Sequence, residues 1–268
     1  MRPLVILAAL AGACLLAAGA LADGGPGPGA MQGWDGVPGG GGVSRFVALG
    51  AGSRTVIAKV QVRGGRVVQF RSLAGNYGIP MVAFDGTAGG LSGDGRTLVL
   101  APPALGATSR FAVLNARNLA VQARIRLRGA FSYDALSPRG RTLYLIEHLS
   151  LRRPRYRVRA YDVDAGRLLR DPVADPTLRG SAMGGWPMAR ATSAGGRWAY
   201  TLYRDGRTWF VHALDTARRT AACIGVPRPR GGVVRLVLSR DGRRLSVVRG
   251  SSRRLATIDT TTLRLVET

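Results

Sequence analysis

The side chains able to do acid–base, nucleophilic or metal chemistry are few in this chain and lie far apart. Its 268 residues hold two imidazoles, His148 and His212, and two thiols, Cys14 and Cys223. A metal site needs several His, Cys or carboxylate ligands converging at short spacing, and none is visible, so neither a metal nor a cofactor is expected. His212 precedes Asp215 by three residues in a run that reads as a strand; the side chains then face opposite ways, which disfavours a His–Asp pair. Asp162-Val163-Asp164-Ala165-Gly166 opens like a calcium loop, but the later ligands are missing and a turn is the expected reading. No Gly-x-Ser-x-Gly occurs, and no glycine-rich loop leads into a helix pattern. No catalytic residue is therefore assigned. His148, near a strand end, is the one imidazole placed to reach a rim.

Positive charge is the abundant chemistry. Lys+Arg number 39 against 15 Asp+Glu, a net +24, and every basic residue except Lys59 is arginine. Arg124, Arg126 and Arg128 alternate along one strand pattern, and Arg155, Arg157 and Arg159 along another; a period of two puts each triplet on one face. Such ladders are candidate polyanion-binding surfaces, with the salt dependence of counterion release. Two competing readings are a solvated face that blocks edge-to-edge pairing and a coding bias toward Arg, Ala, Gly and Pro.

Residues 1–22, MRPLVILAALAGACLLAAGALA, combine a basic start, an apolar stretch and an Ala-x-Ala site before Asp23. That is the layout of a secretory signal peptide; the alternative is an uncleaved anchor of about 20 apolar residues. The expected location is the extracellular space or cell envelope, with membrane contact only if residues 1–22 stay attached. Cleavage after Ala22 would leave Cys223 alone, without an intrachain disulfide, in an apolar run where a small buried hydrophobe is expected rather than a reactive thiol. Export points to an anionic envelope polymer or a protein as partner, not nucleic acid, and the domain is expected as a monomer. From Asp23 to Gly42, ten of twenty residues are Gly and three are Pro, which predicts a flexible linker over 23–43 ahead of a domain at 44–268.

Beyond Ser44 no apolar pattern holds a 3.6-residue period for three turns, so strands are expected throughout. A Ser–x–x–Gly–Arg phrase recurs before an apolar run at Ser92, Ser137, Ser193 and Ser239, spaced 45, 56 and 46 residues apart. A second marker, an apolar run ending in Asn115, Asp162, Asp215 or Asp259, keeps the same step. Ser and Asx side chains open turns, and Gly supplies the positive φ that closes them. Four short strands per 40–50 residues is the blade of a β-propeller. The prediction is an all-β propeller of about five four-stranded blades, the first incomplete because residues 45–80 supply three strands, with ring closure unexplained.

The Ser-x-Asp-Gly-Arg-x-Leu phrase with its Asp-ended strand resembles the YVTN-type and TolB-type repeats of exported bacterial propellers, over about residues 81–268. The copy at 193–197 lacks the Asp, and the first marker is Asn115. Because the motif residues make turns, the resemblance implies a fold rather than an activity. Aromatics stand near Gly before three of the innermost strands: Tyr77, Phe131 with Tyr133, and Trp186, with Arg190 and Arg235 on or beside the strands that follow. They are candidate rim residues for an anionic or sugar-like ligand; the competing reading is that the aromatics fill gaps between blades. The expected function is a non-catalytic binding or scaffold module of the cell envelope. The alternative is a lactonase- or lyase-like propeller enzyme acting on a small ligand at the channel mouth.

Overall fold

The repeated phrase does in space what its residue types dictate. In the computed structural model, which describes residues 29–150 and 152–267, each Ser–x–x–Gly–Arg segment is closed by the same hydrogen bond, although the third copy differs in also holding Gly195 at φ +75°. The Gly N–H bonds the Ser carbonyl at 2.9, 2.8, 2.9 and 2.9 Å in the four copies. The Ser hydroxyl accepts the N–H of Thr97, Thr142, Trp198 or Arg244 at the start of the next strand. Gly95, Gly140, Gly196 and Gly242 hold φ between +68° and +76°, which L side chains rarely adopt. Asn115, Asp162, Asp215 and Asp259 each accept a backbone N–H two or three residues on, closing the following turn.

These turns order the strands into five antiparallel sheets, each contiguous in sequence. Ahead of the sheets, β1 (Ala30–Met31) leads into the first blade, which runs β2 (Gly33–Pro38), β3 (Ser44–Ala51), β4 (Arg54–Gln61) and β5 (Val67–Ala74). A short strand β6 (Ile79–Pro80) pairs with β1, and the second blade runs β7 (Thr97–Leu100), β8 (Thr108–Asn115) and β9 (Val121–Arg128). The third consists of β10 (Phe131–Leu136), β11 (Thr142–Ser150), β12 (Arg155–Asp162) and β13 (Arg167–Leu168), with β14 (Met183–Gly184) also on β12. The fourth is β15 (Trp186–Thr192), β16 (Trp198–Asp205), β17 (Thr208–Asp215) and β18 (Thr220–Val226). The fifth is β19 (Val234–Leu238), β20 (Arg244–Arg249), β21 (Arg253–Asp259) and β22 (Arg264–Glu267).

Two expectations are corrected. The first blade is complete, because Gly33–Pro38, inside the predicted linker, is its innermost strand. Glycine there marks close approach rather than slack: a Cβ on Gly36 would lie 1.9 Å from the Phe46 carbonyl oxygen. The three-stranded blade is the second, whose inner strand shrinks to the Leu91–Leu98 bridge. The proposed signal segment, residues 1–22, lies outside the described residues. Among the described residues, no helix is long and apolar enough to cross a membrane.

The core lies between blades. Phe46, Ile57 and Leu73 pack on Leu98, Leu100 and Leu114 between the first and second blades. Phe111 and Ile125 meet Phe131, Leu143 and Tyr161 between the second and third. Tyr144 and Tyr156 meet Tyr203 and Leu214 next, and Leu202 and Val211 meet Leu236, Val247 and Ile258 last. Each such side chain contributes about 1.5–3 kcal/mol by leaving water. Among the described residues no strand pairing and no hydrophobic cluster joins the fifth blade to the first.

Candidate functional site

The inner strands place one ion pair at the centre of the fold. Asp134 sits at a bulge in β10, between Tyr133 and Ala135, which re-aims its side chain. Arg190 of β15 donates from Nη1 to Thr201 Oγ1 at 2.6 Å and from Nη2 to Asp134 Oδ1 at 2.7 Å and to the Asp134 carbonyl. Both side chains are buried, and among the described residues Asp134 Oδ2 has no hydrogen-bond partner. A loop from the second blade reaches across to the same strand: the Phe84 N–H bonds the Pro187 carbonyl at 2.9 Å, and Asp85 Oδ2 accepts the Arg190 N–H at 3.1 Å. Asp85 Oδ1 accepts the N–H and hydroxyl of Thr87, which holds the loop's shape.

Of the six candidate rim residues, only Tyr133 and Arg190 line one cleft together. Tyr77 and Phe131 are buried between blades, and Tyr133 is buried with its hydroxyl pushed far up by loss of solvent. These aromatics fill gaps because the flanking Gly75 and Gly129, at φ +110° and +113°, fold them back over the turn. Arg190 is spent on Asp134. Arg235 is exposed and donates to the Gly250 and Ser251 carbonyls within its own blade. Trp186 is half-buried, its ring 6.1 Å from that of Phe84. Tyr133 and Arg190 line, with Asp134, a cleft of about 380 Å³ on the inner strands, and a second cleft of about 470 Å³ uses other residues: Phe84, Met188, Arg204, Trp209, Arg228 and Val233. Sequence reasoning missed Phe84 and Arg228 because both lie in loops with no repeat marker.

The nucleophile and base candidates are confined. Ser132 Oγ lies 2.9 Å from His148 Nε2, while His148 Nδ1 has no partner among the described residues. Burial pushes the His148 imidazole down to about 4, so it is neutral near pH 7. The cavity beside the pair is about 20 Å³, room for one water rather than a substrate. His212 is buried against Tyr203, and Asp215 is engaged elsewhere, its Oδ2 taking Arg197 at 2.9 Å. Burial pushes the Cys223 thiol up to about 12, leaving it protonated. The calcium-like segment is a turn in which Asp162 Oδ1 accepts the Ala165 N–H. Among the described residues no group of three His, Cys, Asp or Glu converges as a metal site would require.

The two arginine ladders fare differently. Arg157 and Arg159 converge on Glu147 of β11, at 2.6 and 2.8 Å, and Arg159 also donates to the Leu169 carbonyl. Burial raises the Glu147 carboxyl, but the two guanidiniums outweigh it and the net shift is downward. Only Arg155 of that triplet is exposed, so the second ladder is not a free polyanion surface. The first ladder is exposed, although Arg124 Nη1 donates to the Ala74 carbonyl at 3.3 Å. Arg124, Arg126 and Arg128 alternate as exposed residues with buried Ile125 and half-buried Leu127. Arg110 of β8 is also exposed and stands directly opposite Arg126 in the ladder. Among the described residues none of these four has a carboxylate partner. The carboxylates are occupied elsewhere: Asp94, Asp215, Asp241 and Asp259 all hold turns.

No family model and no curated protein matches the chain. Among solved structures it is similar to hydrazine synthase of Kuenenia stuttgartiensis, at 25% identity over 66% of this chain and 46% of that one, TM-score 0.43. It is also similar to TolB from Acinetobacter baumannii, at 16% identity over 82% and 49%, TM-score 0.46. A third is the β-propeller domain of Cps50 (Swd1) from Myceliophteria thermophila, at 13% identity over 83% and 67%, TM-score 0.47. The chain spans about half the length of the first two. What it is rests on its own five sheets: an all-β propeller.

Proposed function

We propose that this propeller is an exported, non-catalytic binding module whose second blade holds an anionic polymer of the cell envelope. One observation carries the reading: Arg110 and Arg126 stand directly opposite each other in the β8–β9 ladder, flanked by Arg124 and Arg128, with no carboxylate among the described residues to offset them. Like charges directly opposite destabilise a sheet, and a polyanion lying along the strands converts that cost into binding. The propeller-enzyme alternative has weaker support, since its one hydroxyl–imidazole pair borders a cavity of about 20 Å³. Residues 1–22 would act as the export signal, and the module works as a monomer.

The test is binding of the purified protein to a soluble polyanion, poly-glutamate, as sodium chloride is raised. Affinity should fall linearly in log–log form, with a slope of about 0.7–0.9 per phosphate-like contact by analogy with nucleic acids. Replacing Arg110, Arg124, Arg126 and Arg128 by Gln should reduce the slope by about 3. An unchanged slope in that variant would assign the binding to diffuse charge and sink the proposal.

A further inference from the structure

A cleft of about 960 Å³ opens between the first and second blades, at the end of the fold where the Ser turns lie. That volume is at the upper end of the roughly 300–1,000 Å³ of small-molecule sites. Its walls are of two kinds. Val43, Val62 and Val68 are 72%, 49% and 45% exposed, a local concentration of aliphatic surface left in water, and Phe46 forms the floor. Lys59, Arg63 and Arg117 supply the charge, and among the described residues none has a carboxylate partner. Lys59, the chain's one lysine, places Nζ 5.7 Å from the centre of the Phe46 ring, where aromatic floor and cation meet. The one acid on the lining, Asp94, is turned to the turn's own needs, its Oδ1 accepting the Ser92 hydroxyl and the Arg96 N–H.

We infer that this cleft binds an amphipathic anion, an aliphatic chain carrying a terminal carboxylate. A polyanion would pair with Lys59, Arg63 and Arg117 and leave the valines in water. A neutral lipid would cover the valines and leave three cations unpaired. An acyl carboxylate answers both, with its chain along Val43, Val62 and Val68 and its head between Lys59 and Arg117. The site is separate from the arginine face of the second blade, and the two share no residue.

The probe is 11-(dansylamino)undecanoate, titrated below its micelle concentration into the full chain and read by dansyl fluorescence. Saturable one-to-one binding is expected. The Lys59→Gln/Arg117→Gln variant should bind about tenfold more weakly, because charge-assisted hydrogen bonds are worth about 1.5–3 kcal/mol and solvent exposure reduces that. The methyl ester of the probe should be weakened similarly against the wild-type protein. Arg126→Gln should bind it unchanged, which separates this site from the polymer surface. Absence of saturable binding, or equal affinity for acid and ester, overturns the inference. The acid–ester comparison needs no variant, so it decides the matter even if the double variant fails to fold.

Discussion

Asp134→Ala is the substitution whose cost follows most directly from geometry. Asp134 and Arg190 form the one ion pair among the described residues with both side chains near full burial, 5% and 3% exposed. Removing the carboxylate leaves the guanidinium with Thr201 Oγ1 and a backbone carbonyl, but without a counter-charge. Breaking a buried pair in this way costs about 3–5 kcal/mol. For a domain of this size each kcal/mol lowers Tm by about 2–4 °C, so a fall of about 10 °C is expected. Asp134→Asn keeps an oxygen at the Oδ1 position and should cost less. The Asp134→Leu/Arg190→Met double variant should recover much of the loss, because well-packed apolar groups often replace a buried pair at little cost. Urea unfolding of the wild type, Asp134→Leu, Arg190→Met and the double variant gives the coupling energy. A cost below about 1 kcal/mol for Asp134→Ala, with no coupling to Arg190, would mean that water reaches the pair and would refute the reasoning.

Gly93→Ala should destabilise by at least about 1–3 kcal/mol, because the new Cβ would fall 1.8 Å from the Gly195 carbonyl oxygen and force the second and fourth blades apart. Gly106→Ala, with nothing within 4 Å, is the matched control in thermal melts and should be near neutral. His148 is held neutral by burial, with its folded value at about 4 against an ordinary 6.5. Its contribution is therefore complete above pH 6.5 and lost as pH falls toward 4, a change on the order of 3 kcal/mol. His148→Gln should flatten Tm against pH across that window, and an unchanged profile would place the sensitivity elsewhere. Burial raises the Asp215 carboxyl, but Arg197 and the Arg218 and Ala217 N–H groups outweigh it and hold it below the ordinary carboxylate range. Its contribution is present above pH about 4 and lost below. Asp215→Ala should cost about 2 kcal/mol at pH 7 by urea unfolding, with the gap to wild type narrowing in acid.

Much of the architecture was legible in the residues themselves. The Ser–x–x–Gly–Arg turns and the Asx turns are closed by hydrogen bonds between residues two to five apart, as from the Arg96 N–H to Asp94 Oδ1 or the Thr97 N–H to Ser92 Oγ. Interactions that short depend on local identity alone, so they can be read along the chain and counted as blades. The exposed alternation of Arg124, Arg126 and Arg128 was readable for the same reason, since a strand's period is two. The rest depended on partners brought from afar. Gly36 reads as linker along the chain, whereas the fold seats it against the Phe46 carbonyl. Arg157 and Arg159 looked free until β11 set Glu147 between them. Arg190 looked like a rim cation, yet its partners Asp134 and Asp85 lie 56 and 105 residues away in sequence. A side chain's type says what it is able to bind. Whether that capacity reaches solvent or is consumed inside the fold depends on which distant backbone packs against it, and that was settled by the tertiary structure.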